Sequence, residues 1–218
     1  MYSVTEQEGT IQFAYDLRQP PQPLSVPSAF AAWREILFKL DLIGQQPDLY
    51  GGFGYGNLSM RSNTGEFVIT ASQTSGAERL YAKHLVSINT VNLERFWVDA
   101  EGYEPPSSES LTHAMIYQQV PAANWIFHVH NATIWRIRGA LGLPETDANT
   151  PYGSPAMATA VSQIMDGASL EPQIFATAGH EDGIFACGAD PHTTGAALVA
   201  LLGRAEAETQ EQESNCGR

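Results

Sequence analysis

The stretch Trp125-Ile126-Phe127-His128-Val129-His130-Asn131 constrains the fold most, because alternating side chains in a strand divide it between two faces. Trp125, Phe127 and Val129 fall on one face and Ile126, His128 and His130 on the other. The first face reads as core and the second as chemistry. At a rise of about 3.3 Å per residue the two histidines stand about 7 Å apart at Cα, so both rings can reach one ion. Taken alone, the pair also fits two strand histidines bonded to backbone or solvent.

The chain has 218 residues, 43% of them hydrophobic, which is enough for a sizeable core. No Ser/Gly/Pro linker interrupts its middle, so one main domain is expected over residues 28–208. It follows an extended, Pro-rich arm over 1–27 and precedes a polar, disordered tail over 209–218. The formal charge is -13, with Lys39 and Lys83 the only lysines. That balance argues against nucleic acid or an anionic membrane as partner and means that an anionic substrate must be held locally. Cys187 lies in an apolar segment and Cys216 in the polar tail, so no disulfide framework is implied. With no signal-like N-terminus and no apolar run long enough to span a bilayer, the expectation is a soluble, cytoplasmic protein.

Phe30, Trp33, Ile36, Leu37 and Leu40 repeat at helical spacing after Ser28, which is read as the N-cap, until Gly44. Asn57 to Arg61, a turn at Asn63 to Gly65, and Glu66 to Thr70 read as a hairpin. The preceding Gly52-Phe53-Gly54-Tyr55-Gly56 is not a dinucleotide loop, because a strand follows it rather than a helix. Strands are expected at Leu85–Asn89, Phe96–Asp99, Gln173–Thr177 and Gly183–Cys187. One helix opens near Pro105, with Ser107 or Ser108 as cap and Glu109 in its first turn, and carries Leu111, Met115 and Ile116 inward. Another carries Met157, Val161 and Ile164, and a last one spans Thr193 to Glu208.

His180 stands between the last two strands beside Gly179 and Gly183, and three neutral imidazoles with an open position describe a catalytic zinc site, with cobalt and manganese also admitted. Of the other histidines, His84 and His192 have surface-like neighbours. His113 follows Glu109 at i+4, which suits a metal pair and, more readily, a packed and hydrogen-bonded ring.

The ordered set Gly56-Asn57-Leu58-Ser59, Ile69-Thr70 before Ser75-Gly76, Ser107-Ser108-Glu109 with His113 and Tyr117, His128-Val129-His130, Pro151-Tyr152-Gly153, and His180 before Gly183 and Gly188 resembles the class II aldolase/adducin family. The resemblance covers about residues 28–205. It implies an α/β class, with three α/β/α layers around a largely antiparallel sheet, and a homotetramer with active sites between subunits. It also implies a lyase that makes or breaks a C–C bond in a small hydroxy-carbonyl or sugar-phosphate substrate. By that resemblance His128, His130 and His180 are the ligands of a divalent metal, Zn2+ or else Mn2+ or Co2+. Glu109 is the acid/base that can also ligate the resting metal. Gly56, Asn57, Ser75, Gly76, Ser107 and Ser108 cradle a substrate phosphate, and Tyr152 reaches a neighbouring subunit's site. Two departures stand out: the loop from Thr70 to Gly76 is longer than the family's usual turn, and Glu181-Asp182 separates His180 from Gly183. Alternatives left open are an epimerase or dehydratase with the same metal site, a non-phosphorylated substrate, and an adducin-like interaction module without chemistry.

Overall fold

The computed structural model of the chain describes residues 9–150, 154–165 and 172–216. In chain order the elements are β1 (Ala14–Arg18), α1 (Ser28–Lys39), β2 (Gly44–Gln45), β3 (Gly54–Tyr55), β4 (Asn57–Arg61), β5 (Phe67–Thr70), β6 (Leu85–Asn92) and β7 (Trp97–Gly102). There follow α2 (Ser110–Gln119), β8 (Trp125–His130), α3 (Ala132–Arg136), α4 (Pro155–Met165), β9 (Gln173–Ala176), β10 (Gly183–Gly188) and α5 (Pro191–Cys216). β2 and β3 pair with each other, and the remaining strands form one eight-stranded sheet in the order β1-β7-β6-β5-β4-β8-β10-β9. Every pairing in it is antiparallel except β1 with β7.

Helices cover both faces, and the alternation along each strand decides which residues meet which layer. Ile126, Phe185, Cys187 and Ile69 pack with Leu111, Met115, Ile116, Met157 and Val161 under α2 and α4. Phe127, Val129, Ile184 and Leu58 pack with Phe30, Trp33, Leu37, Leu198 and Leu201 under α1 and α5. The result is the expected α/β/α sandwich around a largely antiparallel sheet. The histidines of β8 therefore face the α2/α4 layer, and Glu109 at the head of α2 comes down on them. Among the described residues no helix is long and apolar enough to cross a membrane.

Several elements differ from the sequence expectation. The N-terminal arm contributes β1, an edge strand with four of its five residues exposed, so no apolar alternation betrays it. Its register comes from the ladder to β7 and an Arg18–Asp99 ion pair of 2.7 Å. Ser28 does not cap α1. Pro27 holds the N-cap position in an extended conformation, and its carbonyl accepts from the Ala31 N–H. Only Phe30, Trp33 and Leu37 of the apolar repeat are buried, whereas Ile36 and Leu40 are exposed and the helix ends at Lys39. Glu109 is the N-cap residue of α2 rather than part of its first turn. The expected tail is helical as far as Cys216, since Ala, Glu and Gln are strong helix formers that need no packing partner to prefer that conformation. His84, expected at the surface, is buried, and its Nδ1 accepts from the Tyr81 N–H.

Candidate metal centre and active site

Register brings the histidines together. β10 runs antiparallel to β8 with Gly183 opposite His130 and Phe185 opposite His128. The turn between β9 and β10 therefore overhangs the end of β8, and His180 sits on that turn. The turn is closed by bonds from the His180 N–H to the Thr177 carbonyl and from the Gly183 N–H to the His180 carbonyl, both 3.1 Å. Asp182, between His180 and Gly183, takes a positive φ of 63°, the left-handed conformation that tight turns require. One ligand atom from each of His128, His130 and His180 lies within 4.8 Å of the other two.

The tautomer at His128 is set by its surroundings. Its Nδ1 lies 3.3 Å from the Ile184 carbonyl, which can only accept, so the proton sits on Nδ1 and the Nε2 lone pair faces the cluster. That Nε2 is 3.2 Å from His130 Nε2. Burial, aided by the neighbouring His130 and His180 rings, holds the His128 pKa well below the usual histidine value, so the ring is neutral and available as a ligand. Phe185 stacks on the His128 ring at 4.1 Å, and Phe175 stacks on Phe185 at 5.3 Å. The ring is thereby held in one plane.

Glu109 is 2% exposed, and its Oε1 lies 3.4 Å from His180 Nδ1 and 3.8 Å from His128 Nε2. That oxygen accepts no hydrogen bond among the described residues. A buried carboxylate oxygen beside two of the three clustered imidazoles, with an inward-facing lone pair on His128, suits a divalent cation, which can accept electron pairs from all of these groups at once. The residues thus fit a three-histidine site with a carboxylate at its edge.

Several of the other expected residues adjoin this core through β8 or the head of α2. Gly56 has a φ of 72°, and a Cβ there would lie 2.4 Å from Ile43 and 3.0 Å from the His128 carbonyl, so only glycine fits between β3 and β8. Asn57 stands opposite His128 in the ladder, and its buried Oδ1 accepts no hydrogen bond among the described residues. The Ser75 hydroxyl donates to the Gly56 carbonyl at 2.7 Å, and Gly76 packs against the Gln45 side chain. Ser107 and Ser108 are buried just before Glu109, where the Ser107 hydroxyl accepts from the Glu109 N–H. A bridge between Ala71 and Pro106 and a bond from the Ser72 N–H to the Pro105 carbonyl join the two segments. Tyr152 lies outside the described residues.

His113 is not part of the cluster. Its Nδ1 shares a 2.6 Å hydrogen bond with the Ser59 hydroxyl, which is also 2.8 Å from the Tyr117 hydroxyl, as expected of a packed, bonded ring. Burial pushes its pKa down to about 3. Sequence reasoning missed Tyr50 and Asp182. The Tyr50 ring meets His130 edge-on at 4.8 Å while its hydroxyl donates to Asp182 at 2.7 Å. Nothing in a loop tyrosine with a φ of 48° announces such a contact. Phe185 was legible in principle, since it lies two residues beyond Gly183 on the same face of β10.

Residues 50–208 match the class II aldolase and adducin N-terminal domain family. The chain belongs to that family. Among solved structures it resembles L-fuculose-1-phosphate aldolase from Thermus thermophilus, with a TM-score of 0.65 and 18% identity over 88% of this chain and 96% of the other. A sugar-phosphate aldolase from Thermotoga maritima gives 0.63 and 15% identity over 86% and 94%. The N-terminal class II aldolase domain of a Thermoplasma acidophilum protein gives 0.51 and 13% over 88% and 99%. At these identities the likeness is one of fold. No curated protein matches the sequence.

Proposed function

We propose that this member of the class II aldolase family is a divalent-metal-dependent lyase that cleaves or forms a C–C bond in a small hydroxy-carbonyl or sugar-phosphate substrate. The observation that carries the reading is the buried Glu109 carboxylate beside three converging histidines. His128, His130 and His180 would hold the ion, Zn2+ as suits imidazole donors or else Mn2+ or Co2+. A bound cation would supply Lewis-acid polarisation of a substrate carbonyl. Glu109, shielded from water, would take a proton from carbon next to that carbonyl and return it. Gly56, Asn57, Ser75, Gly76, Ser107 and Ser108 would hold a substrate phosphate through backbone N–H groups and hydroxyls, which suits a chain with two lysines. Tyr152, from a neighbouring subunit of a homotetramer, would take the proton of the hydroxyl whose carbon leaves as an aldehyde, and would return it to the new alkoxide when the bond forms.

The test couples metal content to proton exchange. Elemental mass spectrometry should find a near-stoichiometric divalent metal in the wild type and lose it in His130→Ala. Glu109→Gln should keep the metal while slowing solvent deuterium exchange into dihydroxyacetone phosphate by about 10²-fold or more. Undiminished exchange in Glu109→Gln would end the acid/base role, and a folded wild type that takes up no metal after reconstitution would end the lyase reading. Product analysis on a panel of ketose phosphates separates lyase from epimerase or dehydratase.

A further inference from the structure

Arg34 is the largest of the fully buried side chains, with 2% exposure, on the face of α1 that also carries Phe30 and Leu37. A guanidinium stays charged in a protein, and burying it without a carboxylate is costly unless the charge serves something else. No carboxylate pairs with it among the described residues, and the adjacent Glu35 turns to Lys39 at 2.8 Å. Its partners are instead main-chain carbonyls of the loop after β5: Ser75 at 2.6 Å, Glu78 at 3.3 Å and Thr74 at 3.5 Å. Phe38 lies under the guanidinium plane at 4.7 Å.

A trans peptide holds its carbonyl and the following N–H on opposite sides. Drawing the Thr74 and Ser75 carbonyls toward Arg34 therefore turns the Ser75 and Gly76 N–H groups the other way. Neither N–H donates to a described residue. The Ser75 hydroxyl is itself bonded to the Gly56 carbonyl, which ties this loop to the segment that carries Asn57 and its unsatisfied Oδ1. The loop is pinned further by the Gln73 side chain, which accepts from the Gly54 N–H at 3.0 Å, and by the Thr74 hydroxyl, which donates to the Ala71 carbonyl at 2.7 Å. Two N–H dipoles with a cation behind them present their positive ends on the side away from Arg34, in a chain whose formal charge is -13.

We infer that Arg34 is a positioning residue for anion recognition: through the Thr74 and Ser75 carbonyls it aims the Ser75 and Gly76 N–H groups at a phosphate or similar oxyanion of the substrate, which it does not itself touch. The inference rests on the phosphate cradle proposed above. It also accounts for the lengthened loop, which reaches back to a cation in α1 instead of relying on lysine.

The test measures inorganic phosphate binding by calorimetry to the metal-loaded wild type, Arg34→Met and Arg34→Lys, with metal content as control. Arg34→Met should bind phosphate at least tenfold more weakly at unchanged metal content, and Arg34→Lys should recover part of the loss, which a filler of space would not require. Equal phosphate affinity in wild type and Arg34→Met would overturn the inference while leaving the cradle standing. A metal-loaded wild type that binds no phosphate would remove the cradle, and the inference with it, without touching the metal site. Should Arg34→Met fail to fold, amide NMR of Arg34→Lys decides, because a single ammonium cannot hold both carbonyls as the guanidinium does: Ser75 and Gly76 N–H signals displaced from their wild-type positions together with weaker phosphate binding support the inference, and unchanged signals and affinity refute it.

Discussion

Acid should unfold this protein partly through one ring outside the cluster of three histidines. Burial holds His113 at a pKa of about 3 in the fold, against about 6.5 in an unfolded chain. Its neutral form is thus favoured by folding, and that contribution to stability is fully present above pH 6.5. As pH falls below 6.5 the unfolded chain takes up a proton that the folded one refuses, and stability declines until the pH reaches about 3. Between pH 7 and pH 5 the linkage relation assigns this single ring a loss of about 2 kcal/mol. Urea denaturation of wild type and His113→Gln at pH 5, 6 and 7, both treated with chelator, exposes the effect, because the two proteins differ in titration chiefly at this ring, with a minor change at His128. Gln keeps a polar partner for Ser59 Oγ but binds no proton. The variant should be less stable at pH 7 and should lose about 2 kcal/mol less than wild type on going to pH 5. Parallel stability curves for the two proteins would refute the assignment of a neutral, desolvated His113.

Three further outcomes follow from packing. Gly56→Ala combines a left-handed backbone with a Cβ 2.4 Å from Ile43, and should cost about 2–4 kcal/mol of unfolding free energy by chemical denaturation; a loss under 1 kcal/mol would contradict the close approach. Phe185→Ala removes the ring stacked on His128 and should cost about 3–5 kcal/mol and weaken metal retention against a competing chelator; unchanged retention would mean that His128 is held by its bond to Ile184 alone. The thiol of buried Cys187, pushed up to about 12, should not react with a disulfide reagent at pH 8 in a Cys216→Ser background until denaturant is added, so rapid labelling of the folded protein would show that β10 opens.

The contrast between β8 and β1 shows how much was readable in advance. β8 alternates large apolar residues with histidines, so its faces and its two candidate ligands followed from the period of a strand alone. β1 carries no such alternation and exists only because β7 offers it a ladder, which no local pattern encodes. The same division holds at the termini of α2 and α5. Apolar spacing marked their middles, while their ends depended on backbone dihedrals at Glu109 and on the helix preference of a polar, solvated tail.

For the candidate site, the sequence by itself determined the donors: three histidines, a glutamate after two serines, and glycines where a Cβ would collide. Those choices are local because they depend on residue chemistry and short spacing. Only the tertiary structure decided that His180, fifty residues beyond His130, hangs over the end of β8, because the antiparallel register of β10 sets where its turn falls. It alone also decided that Tyr50 leans on His130 and that Arg34, an ordinary helix arginine by sequence, is buried against the Thr74 and Ser75 carbonyls. Contacts of that kind arise when separate elements pack, and their energies depend on burial and orientation that no stretch of chain carries alone.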